Sequence, residues 1–243
     1  MNLSHSTILI TGGASGIGLA LAACFLAAGS TVIVCGRRAD KLAEAQRQHP
    51  GLHTHVADVA TAADREALAA WATATFPGLN VLVNNAGIQR RVRVDDLATA
   101  WEAHRQEIAI NLEAPIHLAA LLLPHLRQQA GAAIVNVTSS LAFVPAAFVP
   151  IYSATKAALH SFTRSLRHQL AMTGVQVLEI IPPAVDTDLG GPGLHTFGVP
   201  VAAFAEAVVA RLAAGELEVG YGESEQTRLA SRAALAARFH QLN

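Results

Sequence analysis

TILITGGASGIGLALAACFLAAG, residues 7–29, decides the fold. Its first five residues form a short apolar run. After the glycines, apolar residues recur at helical spacing as far as Gly29, a natural C-cap. Thr11-Gly12-x-x-x-Gly16-x-Gly18 therefore lies between a strand and a helix, the context a dinucleotide-binding loop requires. Glycines let backbone approach a pyrophosphate, and a helix N-terminus offers N–H groups and partial positive charge. The spacing is not G-x-G-x-x-G, and a purely structural turn fits the same residues.

Outward from this unit the chain alternates. TVIVCGR is a strand, RADKLAEAQRQ a helix ended by Pro50-Gly51, and LHTHVADV a third strand. Thr61 caps a helix through ATATF, and NVLVNNAG is a fourth strand running into polar residues and Gly87. A helical region covers about 98–129, with Pro115 and Pro124 predicting a break or kink. AAIVNVTSS is a fifth strand, followed by a helix to near Gly174. VQVLEII is a sixth strand, ended by Pro182-Pro183. A Gly/Pro-rich loop, a helix over about 200–214, a short strand in ELEVGYG and a helical tail complete the chain. Apolar strands alternating with helices predict a parallel sheet of about seven strands covered on both faces. The fold class is α/β, a doubly wound Rossmann fold in one domain, 1–243. Ligands are expected at the carboxyl ends of its strands.

Composition narrows the function. With 52% hydrophobic and 14% charged residues the chain reads as globular with a large core. A net charge of −1 and a pI near 6.8 give no support for nucleic acid or an anionic membrane surface. The 11 histidines are scattered without an H-E-x-x-H, so no metal site is expected. The two cysteines, Cys24 and Cys35, read as buried reduced thiols in a reducing, cytoplasmic compartment. No signal peptide is evident, and LALAACFLAAG and LAALLLPHL are too short to span a bilayer.

The chemistry points to SSLAFVPAAFVPIYSATK, residues 139–156. Tyr152 and Lys156 are i and i+4 on the helix that follows and share a face. An ammonium beside a phenol favours the phenolate, drawing its pKa of about 10 toward the working range. A half-buried Tyr and a surface Lys on an amphipathic helix satisfy the same pattern. Ser139 stands thirteen residues before Tyr152, and Asp58 and Asn84 to Gly87 close two other strands.

Taken in order over nearly the whole chain, these motifs resemble the short-chain dehydrogenase/reductase family. VTSSLAFVPAAFVPIYSATKAALHSF and PPAVDTDLGG are most similar to a bacterial subgroup, the DltE-type oxidoreductases. The resemblance implies a tetrad of Asn111, Ser139, Tyr152 and Lys156. Tyr152 would move the hydroxyl proton and Ser139 would fix the same oxygen. Lys156 would lower the Tyr152 pKa and hold the cofactor ribose, and Asn111 would hold a water behind it. It implies cofactor contacts at Gly12, Ser15, Gly16, Ile17, Gly18, Arg37, Arg38, Asp58, Val59, Asn85, Ala86, Gly87, Pro182, Val185 and Thr187. Asp58 would meet the adenine and Thr187 the nicotinamide carboxamide. It implies hydride exchange between a nicotinamide and a small carbonyl or alcohol substrate, in a homodimer or homotetramer, with no nucleic-acid or membrane partner. A substrate loop is expected at about 188–199.

Two features depart from or qualify the pattern. Pro183 replaces a usual glycine and removes a donor N–H. At the tip of the second strand Gly36 occupies the place of the NAD-selecting acid, and Arg37 and Arg38 follow. Guanidinium groups there fit a 2′-phosphate, so NADP(H) is expected to be preferred, with NAD(H) possible. Ser15 stands where many NADP enzymes carry a second basic residue, so the preference is expected to be moderate. Gln89-Arg90-Arg91-Val92-Arg93 reads as a solvated basic loop, a subunit contact or a contact to an anionic substrate. Leu141, Phe143, Val144 and Phe148 read as pocket lining or as core. A dinucleotide sensor without turnover is the alternative function. Nucleotide-sugar epimerase chemistry is disfavoured by the short stretch after about residue 200.

Overall fold

The computed structural model describes residues 5–93, 95 and 101–243. The start of the helix expected near 98 and the first four residues of the N-terminal reading lie outside these. Seven parallel strands form one sheet: β1 (Thr7–Thr11), β2 (Thr31–Gly36), β3 (Leu52–Val56), β4 (Leu79–Asn84), β5 (Ala133–Val137), β6 (Gln176–Ile181) and β7 (Glu218–Gly220). The order is β3-β2-β1-β4-β5-β6-β7, the doubly wound arrangement, with its switch point between β1 and β4.

Helices α1 (Gly16–Ala27), α2 (Ala39–Gln48) and α7 (Val201–Ala213) cover one face. There Leu21, Phe25, Leu42, Phe204, Val208 and Leu212 bury their side chains against β1, β2, β4, β5 and β6. Helices α3 (Ala62–Thr75), α4 (Trp101–Ile108), α5 (Ala114–Leu126) and α6 (Pro150–Leu170) are on the other face. There Leu68, Ile110, Leu118, Leu122 and Leu166 are buried. Short α8 (Glu223–Arg228) and α9 (Arg232–Leu242) end the chain. Local signals set the ends: Thr61 caps α3 by accepting from Asp64 N at 3.2 Å, and Pro150 opens α6.

Three expectations need correction. Helix α6 ends at Leu170 rather than near Gly174, because a turn with Thr173 closes it first. The break expected in the fourth helical region is a π turn, Ala109–Glu113, that joins α4 to α5, and Pro124 sits inside α5. Pro115 explains the place of the turn, since it lacks the N–H that would bond the carbonyl four residues back, at Asn111. The joined helix, Trp101–Leu126, is long and apolar enough to cross a membrane, which the shorter apolar runs argue against. Its apolar face is occupied by the sheet, through Ile110, Ala114, Leu118 and Leu122. Both thiols are free, but Cys24 is only half-buried.

Register brings the site together. Thr11 pairs with Cys35, Asn84 with Asn136, Val137 with Ile180 and Ile181 with Gly220. The segments after β1, β4, β5 and β6 therefore leave the same edge side by side.

Candidate active site

The turn after β1 takes its shape from glycine. Gly12 has φ +64° and Gly16 φ +53°, a region side chains rarely adopt. A Cβ on Gly12 would lie 2.8 Å from the Ala86 Cα, and one on Gly16 would lie 3.4 Å from Thr187. The loop thus meets both the NNAG segment and the PPAVDT segment. Ser15 is the N-cap of α1, and its side chain makes no capping bond. The first-turn N–H groups therefore remain for an anion, and this cradle fits the pyrophosphate of a dinucleotide. Gly18 has a different reason for lacking a side chain. Its Cβ would meet Asn85 Nδ2 at 2.4 Å and the Gly12 carbonyl at 2.6 Å, so interior packing rather than ligand approach excludes one.

Thr11, read from the sequence only as the start of the glycine loop, pins the NNAG segment. Its hydroxyl accepts from Asn85 N at 3.1 Å and Ala86 N at 3.0 Å. Asn85 Nδ2 donates back to the Thr11 carbonyl at 2.9 Å, and Asn84 Nδ2 donates to Asn136 Oδ1 at 2.9 Å. At the outer edge, Arg37 approaches Asp58 to 3.9 Å, uniting two residues predicted to surround the adenosine. Asp58 also accepts from Ala60 N, and its N–H donates to Asp64. Buried Arg65, also missed, donates to the Val59 and Ala60 carbonyls and pairs with Glu113 of the π turn. Arg38 is exposed at the N-cap of α2.

The four predicted tetrad residues converge. Asn111 in the π turn accepts from Ile88 N at 2.9 Å and donates to Ile88 O at 2.8 Å and to Thr155 Oγ1 at 3.3 Å. Lys156 Nζ donates to the Val137 carbonyl at 2.8 Å and lies 5.6 Å from the Tyr152 ring centroid. A Cβ on Gly87 would stand 3.5 Å from Asn111 Oδ1 and 3.7 Å from Lys156 Nζ, so glycine keeps open the space they share. Ser139 Oγ accepts from Leu141 N at 3.1 Å, and its hydroxyl is near enough to the Tyr152 phenol to draw that group's pKa down.

Electrostatics here overturn one expectation. Tyr152 is 6% exposed, and burial pushes its phenol up to about 12, against the opposing pull of Ser139. Lys156 is 3% exposed, and burial pushes it down to about 8, partly offset by the Glu179 carboxylate. In the protein's own field, burial outweighs any pull of the Lys156 ammonium on the phenol. Loss of hydration dominates both groups, and the ammonium is aimed at a carbonyl.

Beside Tyr152, Ala146 and Val149 are buried, with Leu141 and Leu189 packed on them. Of the remaining apolar candidates, Val144 is buried, Phe143 packs against His160 with the rings tilted, and Phe148 is exposed beneath Arg91. The loop after Thr187 turns back through a bridge between Val185 and Val199.

Two further buried acids escape the sequence reading. Glu179, in β6, accepts from Thr138 Oγ1 at 2.6 Å and bonds His160 Nδ1 at 2.9 Å. A charge inside an otherwise apolar strand is the available signal. Glu107, in α4, accepts from Arg90 N at 3.3 Å, and burial pushes its carboxyl up to about 7.

The chain is 46% identical to the uncharacterized oxidoreductase DltE of Bacillus subtilis (strain 168), over 100% of this chain and 98% of that one. It is 36% identical to the D-beta-hydroxybutyrate dehydrogenase of Cupriavidus necator, over 77% and 73% of the two chains. A short chain dehydrogenase from Burkholderia cenocepacia J2315, crystallised in complex with NADP, superposes with a TM-score of 0.84. It is 28% identical, over 98% of this chain and 99% of that one. The model of the short chain dehydrogenase family matches residues 6–194, nearly all of the sheet and the whole glycine loop. By sequence and by fold, the chain belongs to the short chain dehydrogenase family.

Proposed function

We propose that the protein interconverts an alcohol and a carbonyl compound using a nicotinamide cofactor, with Tyr152 as general acid and base. The observation that carries this is the meeting of Asn111, Ser139, Tyr152 and Lys156 at the carboxyl ends of β4 and β5. When bound, the cofactor supplies or accepts the hydride. Ser139 orients the reacting oxygen, and the neutral Tyr152 phenol gives its proton in the reductive direction. In the oxidative direction the Lys156 ammonium stabilises the phenolate that must form, because no other cation approaches the ring among the described residues. Asn111 fixes the Ile88 backbone and, through Thr155, the turn of α6 that bears Lys156.

The proposal includes preference for NADP(H). Gly36 leaves open space at the β2 tip: a Cβ there would have no atom within 4 Å, and no carboxylate stands there to repel a 2′-phosphate. Arg37 is 48% exposed and its contact to Asp58 is long, so it is free to turn toward a phosphate. The NADP complex of the Burkholderia relative accords with this. We further assign residues 188–199 as the substrate loop of a single domain, and a cytoplasmic homodimer or homotetramer as the working form.

Two measurements test the reading. Tyr152→Phe should lower turnover by about 10²–10⁴ while cofactor still binds. Near wild-type turnover would refute the mechanism, and binding without turnover on any alcohol or ketone would favour a sensor. Wild-type kcat/KM should be higher with NADPH than with NADH, and Arg37→Ala should remove most of that difference. Higher efficiency with NADH, or an unchanged ratio in the variant, refutes the cofactor assignment.

A further inference from the structure

A second polar cluster lies outside the tetrad. Arg90 Nε, both ring nitrogens of His104 and Glu107 Oε2 are buried without a hydrogen-bond partner among the described residues. His104 is 2% exposed and Glu107 fully buried. Leaving such a group unsatisfied costs about 1–3 kcal/mol, so several in one place point to a missing partner. They are not sealed in a void. His104, Arg90 and Arg91 line an open cleft of about 460 Å³, closed on the other side by Gly190 of the loop after β6.

The segments that line this cleft adjoin those around Tyr152. Leu189, next to Gly190, packs against the Tyr152 cluster. Val92 N donates to Phe148 O at 3.2 Å, tying the basic loop to the segment that enters α6. The Glu107 carboxyl is close enough to Tyr152 to perturb its phenol.

The free groups are matched to one kind of ligand. Arg90 Nε–H and an imidazole N–H are donors without acceptors. The other arm of Arg90 is taken, since its Nη2 donates to Gln106 Oε1 at 3.0 Å. Arg91 lies over the Phe148 ring, 5.0 Å from its centroid, whereas Arg93 is paired with Asp95 at 3.1 Å. Two donors in a field of positive sign suit the two oxygens of a carboxylate. Glu107 faces the cluster, with its Oε2 3.9 Å from His104 Nδ1. Its raised pKa leaves it largely able to protonate beside a monoanion, whereas a dianion would face stronger repulsion.

We propose that Arg90 and His104 form a subsite for the substrate's carboxylate, so that the compound processed at Tyr152 is a hydroxy or oxo acid. This rests on the oxidoreductase reading for the reaction but not for the binding. The basic loop then has a specific use: it selects an anionic substrate and holds it by the end remote from the reacting carbon.

The test separates binding from turnover. Histidine-ring NMR resonances of the full chain are followed during titration with butyrate, butyramide and methyl phosphate. Butyrate should perturb the His104 ring and bind at least about tenfold more tightly than butyramide, the gain expected of a charge-assisted hydrogen bond. Arg90→Gln and His104→Gln should each remove most of that difference, and Arg90→Lys should restore part of it. Equal binding of butyrate and butyramide by the wild type overturns the proposal without reference to any variant. Tighter binding of methyl phosphate than of butyrate overturns the choice of carboxylate. In turnover, oxo acids should exceed their methyl esters in kcat/KM, and the ratio should fall about tenfold in Arg90→Gln. Preference for the esters overturns the proposal while leaving the oxidoreductase reading intact. Carboxylate binding with no turnover of any compound supports the subsite and refutes the oxidoreductase reading instead.

Discussion

Replacing Lys156 by Met should stabilise the fold at neutral pH while destroying the proposed activity. Burial lowers the ammonium from an ordinary 10.5 to about 8 in the native state. Below pH 8 both native and unfolded chains carry the proton, and the native state bears the full penalty of a buried charge. The difference corresponds to roughly 3 kcal/mol at 1.36 kcal/mol per pKa unit. Methionine has similar length and no charge, but it forfeits the bond to the Val137 carbonyl, a loss of about 1 kcal/mol. The net expectation is a gain of about 1–2 kcal/mol at pH 7, or several degrees in Tm for a chain of this size.

The pH dependence distinguishes this origin from a general improvement in packing. Between pH 8 and 10.5 the native protein releases the proton and the unfolded chain still holds it, so wild-type stability rises relative to the variant. Above 10.5 the charge penalty is gone, and the variant retains only the loss of its hydrogen bond. Tyr152 titrates in both proteins and largely cancels in the difference. Urea denaturation of both proteins at intervals from pH 7 to about 11 measures the gap directly. A variant less stable than wild type at pH 7, or a gap that does not change across this range, would refute the reasoning.

Glu107→Gln should behave in the opposite sense. Its carboxyl rises from 4.5 to about 7, so wild-type stability falls as pH increases across that window. The variant should be the more stable above pH 7, by at most about 3 kcal/mol, and should match the wild type below pH 4.5, as denaturation at both extremes would show. For Gly18→Val the glycine pattern in the sequence predicts weaker cofactor binding with less effect on folding. Its Cβ would lie 2.6 Å from the Gly12 carbonyl, so thermal stability should fall by several degrees along with affinity. Retention of wild-type Tm with lost binding would restore the ligand-approach explanation.

The parallel sheet and the shared face of Tyr152 and Lys156 are legible because they rest on local patterns, whereas Asn111 and Ser139 are reached only through the family resemblance. Apolar runs bounded by glycine and proline give strands, and the register of parallel strands then carries Thr11, Asn84, Val137 and Ile181 to one edge. What escapes depends on distance in sequence. Gly18 looks like a ligand-facing glycine until Asn85, far along the chain, is found against it. His104 and Glu107 carry no local motif, and only the return of the loop after β4 sets Arg90 over them. The direction of the Tyr152 pKa shift is not legible, because i, i+4 spacing gives proximity but not depth of burial, and depth decides the sign.

The buried ionisable groups also divide by what they touch. Glu179 is fully enclosed, yet each oxygen has a partner, through Thr138 and both contacts to His160. Lys156 has one hydrogen bond to a carbonyl and room beside Gly87, and Glu107 has one bonded oxygen and one bare. Folding alone gives no reason to enclose a charge so incompletely, because an apolar residue of similar size would be as stable or more so. Complete partners therefore mark Glu179 as architecture, fixing β6 against α6 from within. Incomplete partners set Lys156 and the Arg90–His104–Glu107 cluster apart as the groups for which a ligand is proposed. The same criterion separates them from Arg65, each of whose three nitrogens has a partner among Val59, Ala60, His117 and Glu113. On this reasoning, stability measurements alone should sort the two groups: neutralising Glu179 or Arg65 destabilises the fold, and neutralising Lys156 or Glu107 stabilises it.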